Sequence, residues 1–384
     1  MLVVGIVLVQ IGQYPKSYFK KQILLIIIKD KSGEMSMEDL TAIFKKFRAS
    51  AVRQGWWDSE GIVAALSGGG DSVAMLWLLH RFYKGRIVAA HLDHCTRQGM
   101  SHRDAEFSAG LCEKWGIKCL VKTVEVFEGR LKGESFEMAG RRERYTHFCE
   151  TAEAEGLSFI AVGHSADDVV ETQLMNLFRG TGLEGLRGIP ERRGMIVRPI
   201  IDFRRDELRE ILRSNGIDWR EDASNTDTVY KRNRVREELI PWIRENMNPN
   251  FESAMIGLSR QIDAELKYKQ KITEKLLSDV SINISPAVAC WSPAFVKDIP
   301  DTELADMLRL QGVRLGLPKL DRDRTLQLMG MIRKGGRWRF QWAMDIEVCW
   351  SNRGMGWLHR EDIGKGVSEN RQNVRKEEIP WWAR

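Results

Sequence analysis

The stretch Ser67-Gly68-Gly69-Gly70-Asp71-Ser72 brings together residue types that handle phosphate. Three consecutive glycines let backbone N–H groups turn toward an anion without Cβ clashes. Ser67 and Ser72 can donate hydroxyl hydrogen bonds, and a helix starting near Ser72 adds the positive end of its dipole. A carboxylate at Asp71 would repel bare phosphate, so its expected role is to ligate Mg²⁺ bridging the phosphate oxygens. No lysine stands where the common GxxxxGK[ST] ATPase loop has one. Such a loop suits a grip on pyrophosphate as a leaving unit. The α-phosphate of ATP is then open to attack, and the chemistry is AMP transfer rather than γ-phosphoryl transfer.

Other candidates lie downstream. Asp168 and Glu171 stand at i and i+3, on one face of the helix expected after "AVGHS". Two carboxylates there suit an ammonium-bearing substrate; the alternative is a pair of salt-bridged helix residues. His91, Asp93 and His94 close a second apolar strand. They could line the adenosine pocket, bind a metal or serve the fold. Residues 91 and 94 are poorly placed to share a face of a strand, and no cysteine pair completes a zinc set. His164, ahead of the acidic helix, is a candidate for the site wall.

These groups need a scaffold, and the pattern supplies one. "GIVAAL", "RIVAAHL", "IKCLVKTVEV", "LSFIAVG" and "MIVRPII" read as strands. Between them "SVAMLWLLHRF", "SHRDAEFSAGLCEKWG" with Ser101 as cap, "SFEMAGRRERYTHFCETAEAEG", "ADDVVETQLMNLF" and "RDELREILRSNG" read as helices. Continuous apolar strands alternating with amphipathic helices imply an α/β fold, with a parallel sheet covered on both faces. Such sheets bind ligands at the carboxyl ends of their strands, where the glycine turn falls. The alternation stops after Gly216. A polar stretch leads into a basic helix expected to end near Pro241, then a mainly helical region, then alternating strands in "RKGGRWRFQWAMDIEVCWSNRGMGWLH". The expected divisions are an atypical extension at 1–35, a catalytic domain at 36–248, a mainly helical region at 249–363 ending in short strands, and a polar tail at 364–384.

Composition bounds the class. With 384 residues, 43% hydrophobic and 29% charged, the chain has the profile of a globular protein of two domains. A net charge of +6 permits a nucleic-acid partner without requiring one. Six scattered cysteines with no CxxC pair argue against zinc, iron–sulfur or disulfide frameworks and for reduced thiols in the cytoplasm. The apolar runs "MLVVGIVLVQIG" and "QILLIIIKDK" are interrupted by Pro15, Lys16, Lys20 and Lys21. Both fall short of the roughly 18 to 20 residues of a membrane span, and no basic segment precedes the first. No membrane association is expected, and the expected start of the working protein is near Met35 or Met37.

The glycine turn resembles the SGGxDS loop of the N-type ATP pyrophosphatases, the PP-loop superfamily with its adenine nucleotide alpha hydrolase-like fold. Four further stretches narrow the likeness. "AAHLDHCTRQGMSHRDAEF", "AGRRERYTHF", "GHSADDVVETQLMNLFRGTGLEGLRGI" and "EDASNTDTVYKRNRVREELIP" resemble blocks of the tRNA(Ile)-lysidine synthetases. The first departs in having Cys95-Thr96 where Gly-Leu is usual, and the second has Gly140 for alanine. The resemblance spans roughly Gly61 to Phe251. It implies a ligase that adenylates the wobble cytidine of a CAU-bearing tRNA(Ile) with ATP and Mg²⁺, then joins free L-lysine to it. It implies ATP-binding roles for Ser67, Gly68, Gly69, Gly70, Asp71, Ser72, His91 and Asp93. It makes Asp168 and Glu171 the lysine-recognising acids, and gives Arg141, Arg232 and Arg236 catalytic positions, where guanidinium groups can stabilise charge on phosphate in bidentate fashion. It also allows a homodimer. The alternatives are a tRNA 2-thiolase on the same loop, a small-molecule adenylating synthetase, and a nucleotide-binding regulatory module.

Overall fold

The computed structural model describes residues 35–93, 100–124, 130, 134–221, 231–351 and 354–363. The apolar N-terminal runs, His94, the "SNTD" part of the last block and the polar tail lie outside them. The chain divides into two compact units, Met1–Ile262 and Asp263–Arg384.

The first unit begins with α1 (Met37–Gln54), whose Ser36 cap accepts from the Asp39 N–H. Leu40, Phe44, Phe47 and Ala51 recur at helical spacing and are buried. Phe47 meets Trp56 edge-on, with ring centroids 5.7 Å apart. Gly55, at φ 78°, ends the helix. Then β1 (Gly61–Ala65) leads through the glycine turn into α2 (Gly70–Phe82). Every residue of β1 is buried, which explains its unbroken apolar run.

Strand β2 (Arg86–Asp93), α3 (Met100–Lys114), β3 (Lys118–Thr123), α4 (Phe136–Ala154), β4 (Ile160–Ala161) and α5 (Ala166–Phe178) follow. After them come the short α6 (Leu183–Leu186), β5 (Arg192–Arg193), β6 (Ile196–Val197) and α7 (Arg205–Ser214). The sheet order is β3-β2-β1-β4-β6-β5, parallel except for the β5–β6 pair. β2 and β3 lie to one side of β1, and β4 and β6 to the other. That reversal is the switch point where open α/β sheets leave a crevice beyond their carboxyl ends.

Two local expectations need correction. Ser101 lies inside α3, which already includes Met100, so it is not the cap. Pro241 does not end the basic helix. Lys231–Arg234 (α8) runs into a π-helical turn, Val235–Leu239, and on into α9 (Ile240–Asn246). Pro241 sits directly after the π-helical turn, within the helical run rather than at its end.

The unit boundary falls inside α10 (Phe251–Val280). Beyond it, β7 (Ser281–Ile282), β8 (Ala289–Trp291), α11 (Pro293–Val296), α12 (Asp301–Arg314) and α13 (Arg322–Lys334) precede β9 (Trp338–Gln341), β10 (Ile346–Ser351) and β11 (Gly354–His359). This region is rich in helix, as expected. Its strands form one antiparallel sheet, β7-β8-β11-β10-β9, that also draws on two short strands ahead of α11. Trp291, Trp350 and Trp357 fill its core with Leu304, Met307 and Leu328. The tryptophans of this region are therefore chiefly packing residues.

Phe47 is fully buried and holds α1 against Trp56 and Phe82. Phe47→Ala should destabilise the first unit by about 3–5 kcal/mol. Urea unfolding followed by circular dichroism would register this as a lower midpoint.

Candidate functional site

The glycine turn sits at the carboxyl end of β1. Gly68 adopts φ 84°, and a Cβ there would lie 3.3 Å from Ser108 Oγ. This conformation and this crowding both select glycine. Ser72 Oγ donates to Gly69 O at 2.8 Å and accepts from the Ser67 N–H at 3.2 Å. The two serine hydroxyls are 3.1 Å apart. Gly69 caps α2 without a side-chain acceptor, so the first-turn N–H groups are not capped by a side chain from that position. The turn is also paired with a distant segment. Arg220 N donates to Gly68 O at 2.9 Å, and Gly69 and Arg220 form a parallel bridge.

Beside the turn, Asp71 accepts from Arg209 Nη1 at 2.9 Å and lies 3.6 Å from Arg205 Nε. Burial pushes the Asp71 carboxyl up, against the pull of Arg205 and Arg209. A Cβ on Gly70 would lie 2.1 Å from Arg209 Nη1, so a larger residue there would displace the guanidinium that Asp71 accepts from.

The acidic pair lies on α5, at the carboxyl end of β4. Asp168 Oδ2 accepts from the Ser165 N–H at 2.9 Å and from its hydroxyl at 3.1 Å. Asp168 Oδ1 accepts from Arg232 at 2.9 Å and Arg205 at 3.3 Å. Burial works against its ionisation, yet Arg232, Arg205 and the Ser165 N–H hold its carboxyl below the usual range. Glu171 is fully buried. It accepts from Arg232 Nε at 2.7 Å, from Arg236 Nε at 2.7 Å and from both terminal nitrogens of Arg205 at 3.3 Å. Arg232 and Arg236, four residues apart, thus aim at one carboxylate, and Arg205 spans Asp71, Asp168 and Glu171. The immediate partners of both acids are guanidinium groups of the chain itself.

The remaining candidates fall around this centre. His91 is buried, its Nδ1 2.9 Å from Leu66 O at the entrance to the glycine turn. Burial lowers its pKa. Asp93 is buried at the end of β2, 3.9 Å from His102 Nδ1. No group of three His, Cys, Asp or Glu residues suited to a metal occurs among the described residues. His164, at the end of β4, accepts at Nδ1 from Arg198 Nε at 3.2 Å. Arg141, on α4, lies over the Tyr145 ring, 4.8 Å from its centroid, and donates to its hydroxyl at 3.2 Å. It is near enough to His164 and Arg198 to repel positive charge on both.

Three arginines of the site escaped the sequence reading: Arg198, Arg205 and Arg209. The signal for two of them was available, since Arg205 and Arg209 stand at i and i+4 on one face of an amphipathic helix.

A turn of this geometry on a parallel sheet has a family counterpart. Residues 38–243 match the model of the PP-loop domain. The chain belongs to the PP-loop domain family. Within this PP-loop domain the glycine turn, the acidic pair and Arg232 and Arg236 all fall inside the matched span. Curated relatives named tRNA(Ile)-lysidine synthase are similar over the same part. One from Clostridium perfringens is 35% identical over 243 residues, covering 62% of this chain and 52% of its own. One from Bacteroides thetaiotaomicron is 39% identical over 215 residues, covering 56% and 50%. A third, from Clostridium tetani, is 28% identical over 323 residues, covering 83% and 68%. The chain thus spans about half the length of the first two relatives and about two thirds of the third.

Glu171 is the charge that three guanidinium groups share, so Glu171→Gln should leave Arg205, Arg232 and Arg236 short of a counter-charge. A loss of about 1–3 kcal/mol in stability is expected. Hydrogen exchange should show the largest loss of protection in 231–246, the segment carrying Arg232 and Arg236. Unchanged exchange there would mean that Glu171 does not hold the segment.

Proposed function

We propose that this PP-loop protein is a tRNA-modifying ligase of the lysidine synthase type, acting in the cytoplasm. ATP and Mg²⁺ activate the wobble cytidine of a CAU-bearing tRNA(Ile), and free L-lysine is then joined to it. The observation that carries the reading is the convergence, at one switch point, of a glycine turn with no capping side chain, a half-buried carboxylate at its mouth and the Asp168–Glu171–arginine cluster. The likeness of this segment to curated lysidine synthases supports the choice of substrate.

The chemistry follows from the groups present. The pyrimidine O2 is a poor leaving group until it carries AMP. In the first step O2 attacks the α-phosphorus, the bond to the bridging β-oxygen breaks, and pyrophosphate leaves. In the second the neutral ε-amine of lysine attacks C2, the C2–O2 bond breaks, and AMP departs with that oxygen. Ser67, Gly68, Gly69, Gly70 and Ser72 would hold the phosphates through N–H and hydroxyl donors. Asp71 fits a Mg²⁺ ligand, being a single half-buried carboxylate beside donors that favour phosphate, and the bound ion would neutralise phosphate charge. Arg232 and Arg236, aimed by Glu171, would meet the charge that builds on the α-phosphoryl and pyrophosphate oxygens. Arg141 would reach that charge from the wall of the site. His91 and Asp93 would shape the nucleotide side.

Lysine's ammonium belongs beside Asp168 and Glu171. It would compete there with Arg205 and Arg232 for Asp168 Oδ1. The tRNA would lie over the basic helix from Lys231 to Asn246, where Trp242 is 53% exposed and suited to stacking on an unpaired base. Among the described residues no helix is long and apolar enough to cross a membrane.

The test is nucleoside analysis of a tRNA(Ile) transcript incubated with protein, ATP and lysine. Lysidine should appear with equal amounts of AMP and pyrophosphate, and only when both lysine and tRNA are present. Asp71→Ala should lower AMP formation by about 10²- to 10³-fold or more. Release of ADP and orthophosphate, or an unmodified anticodon, would rule the proposal out.

A further inference from the structure

His164 and Arg198 form a contact that the proposed chemistry leaves unused. His164 follows Gly163 at the end of β4, against the glycine turn: a Cβ on Gly163 would lie 3.1 Å from Ser72 Cα. The ring is half-buried, and it feels the charges of Asp168, Arg198, Arg141 and Arg232. Arg198 Nε lies 3.2 Å from its Nδ1. A guanidinium N–H can only donate, so Nδ1 must be the accepting, unprotonated nitrogen. The proton of the neutral ring is then on Nε2.

Arg198 is built to hold that geometry. Its residue is 4% exposed, and its Nη1 donates to Pro190 O at 2.6 Å. Its backbone is clasped on both sides by the Gln54 amide, which accepts from Arg198 N at 2.7 Å and donates to Arg198 O at 2.9 Å. Gln54 is in turn held by Ser50 at 2.8 Å. Charged groups around the guanidinium include Arg141, Arg193 and Arg187. A second cation at His164 would face Arg198, Arg141 and Arg232. Burial and those three arginines, opposed by Asp168, lower the imidazole to about 4.

We propose that Arg198 is a positioning residue that fixes His164 as the Nε2–H tautomer, so that the imidazole meets substrate as a neutral hydrogen-bond donor and not as a proton acceptor. The assignment of the ring stands on the contact alone; its use on substrate rests on the function proposed above. A neutral N–H donor stabilises charge developing on a phosphoryl oxygen or on a pyrimidine nitrogen without giving up its proton. The proton lost by lysine's amine therefore goes to some other group or to water.

The full chain labelled with ¹⁵N-histidine gives the test. The His164 signals are identified by their loss in His164→Gln. At pH 7 Nδ1 should show the shift of an unprotonated ring nitrogen and Nε2 that of a protonated one, and the pattern should persist at pH 5. In Arg198→Met the two shifts should move toward a tautomer mixture, and the ring should titrate nearer the ordinary value of about 6.5. AMP formation should lose roughly 10- to 100-fold in kcat with little change in the KM for ATP. Arg198→Lys, which keeps a donor, should recover part of both effects. If Arg198→Met fails to fold, the wild-type spectrum and Arg198→Lys carry the test. A ring protonated at Nδ1 or charged at pH 7, or a spectrum unaltered in the Arg198 variants, would overturn the proposal. The expected spectrum from a protein that makes no lysidine would instead sink the functional reading and leave the tautomer assignment intact.

Discussion

The Glu171 carboxylate is the constraint around which the site is arranged. A buried charge without compensation is so costly that it would neutralise or the fold would open. Here three guanidinium groups compensate it, reaching it from two other places in the chain: Arg205 from α7, and Arg232 and Arg236 from the segment that follows residue 230. Arg205 and Arg232 depend on the acids in turn. Burial works against the charge of Arg205, and Asp168, Glu171 and Asp71 hold its pKa above the usual value. Neither set is stable in place without the other, which makes the helix pair and the basic helix one electrostatic unit.

The site has two electrical characters. On the α5 and α7 side, carboxylates and guanidinium groups alternate within hydrogen-bond distance, so charge is matched there before any ligand arrives. On the β4 and β6 side, Arg198 and Arg141 repel one another and His164, and burial with this repulsion lowers Arg198 to about 10. A matched floor and a cationic wall are a suitable setting for a reaction that brings in polyanions and one ammonium-bearing molecule.

Much of this was legible in the chain. The glycine turn, the continuous apolar strands and the acid pair at i, i+3 each carry a local signal, and the structure places the turn and the pair at adjacent strand ends. Arg205 and Arg209 showed a shared face at i and i+4 but not its use, because an arginine on an amphipathic helix acquires a role only when packing decides what its polar face meets. Arg198 was hidden inside an apolar stretch read as a strand; only Ile196–Val197 is paired there, and the residue's importance lies in a side chain folded back to His164. The strands β7 and β8 are two and three residues long, too short for alternation to show. Pro241 misled because the chain stays helical past it, through the π-helical turn that immediately precedes it.

The bridge between the glycine turn and Arg220 has a mechanical meaning. It makes the glycine turn and the segment that leads from α7 to Arg220 two sides of a single hydrogen-bonded seam. Any cargo that stiffens one side restrains the other, and thermodynamic reciprocity requires the influence to run equally in both directions. The glycine turn and Arg220 are thus fastened to each other by main-chain atoms, a linkage that side-chain substitution leaves in place.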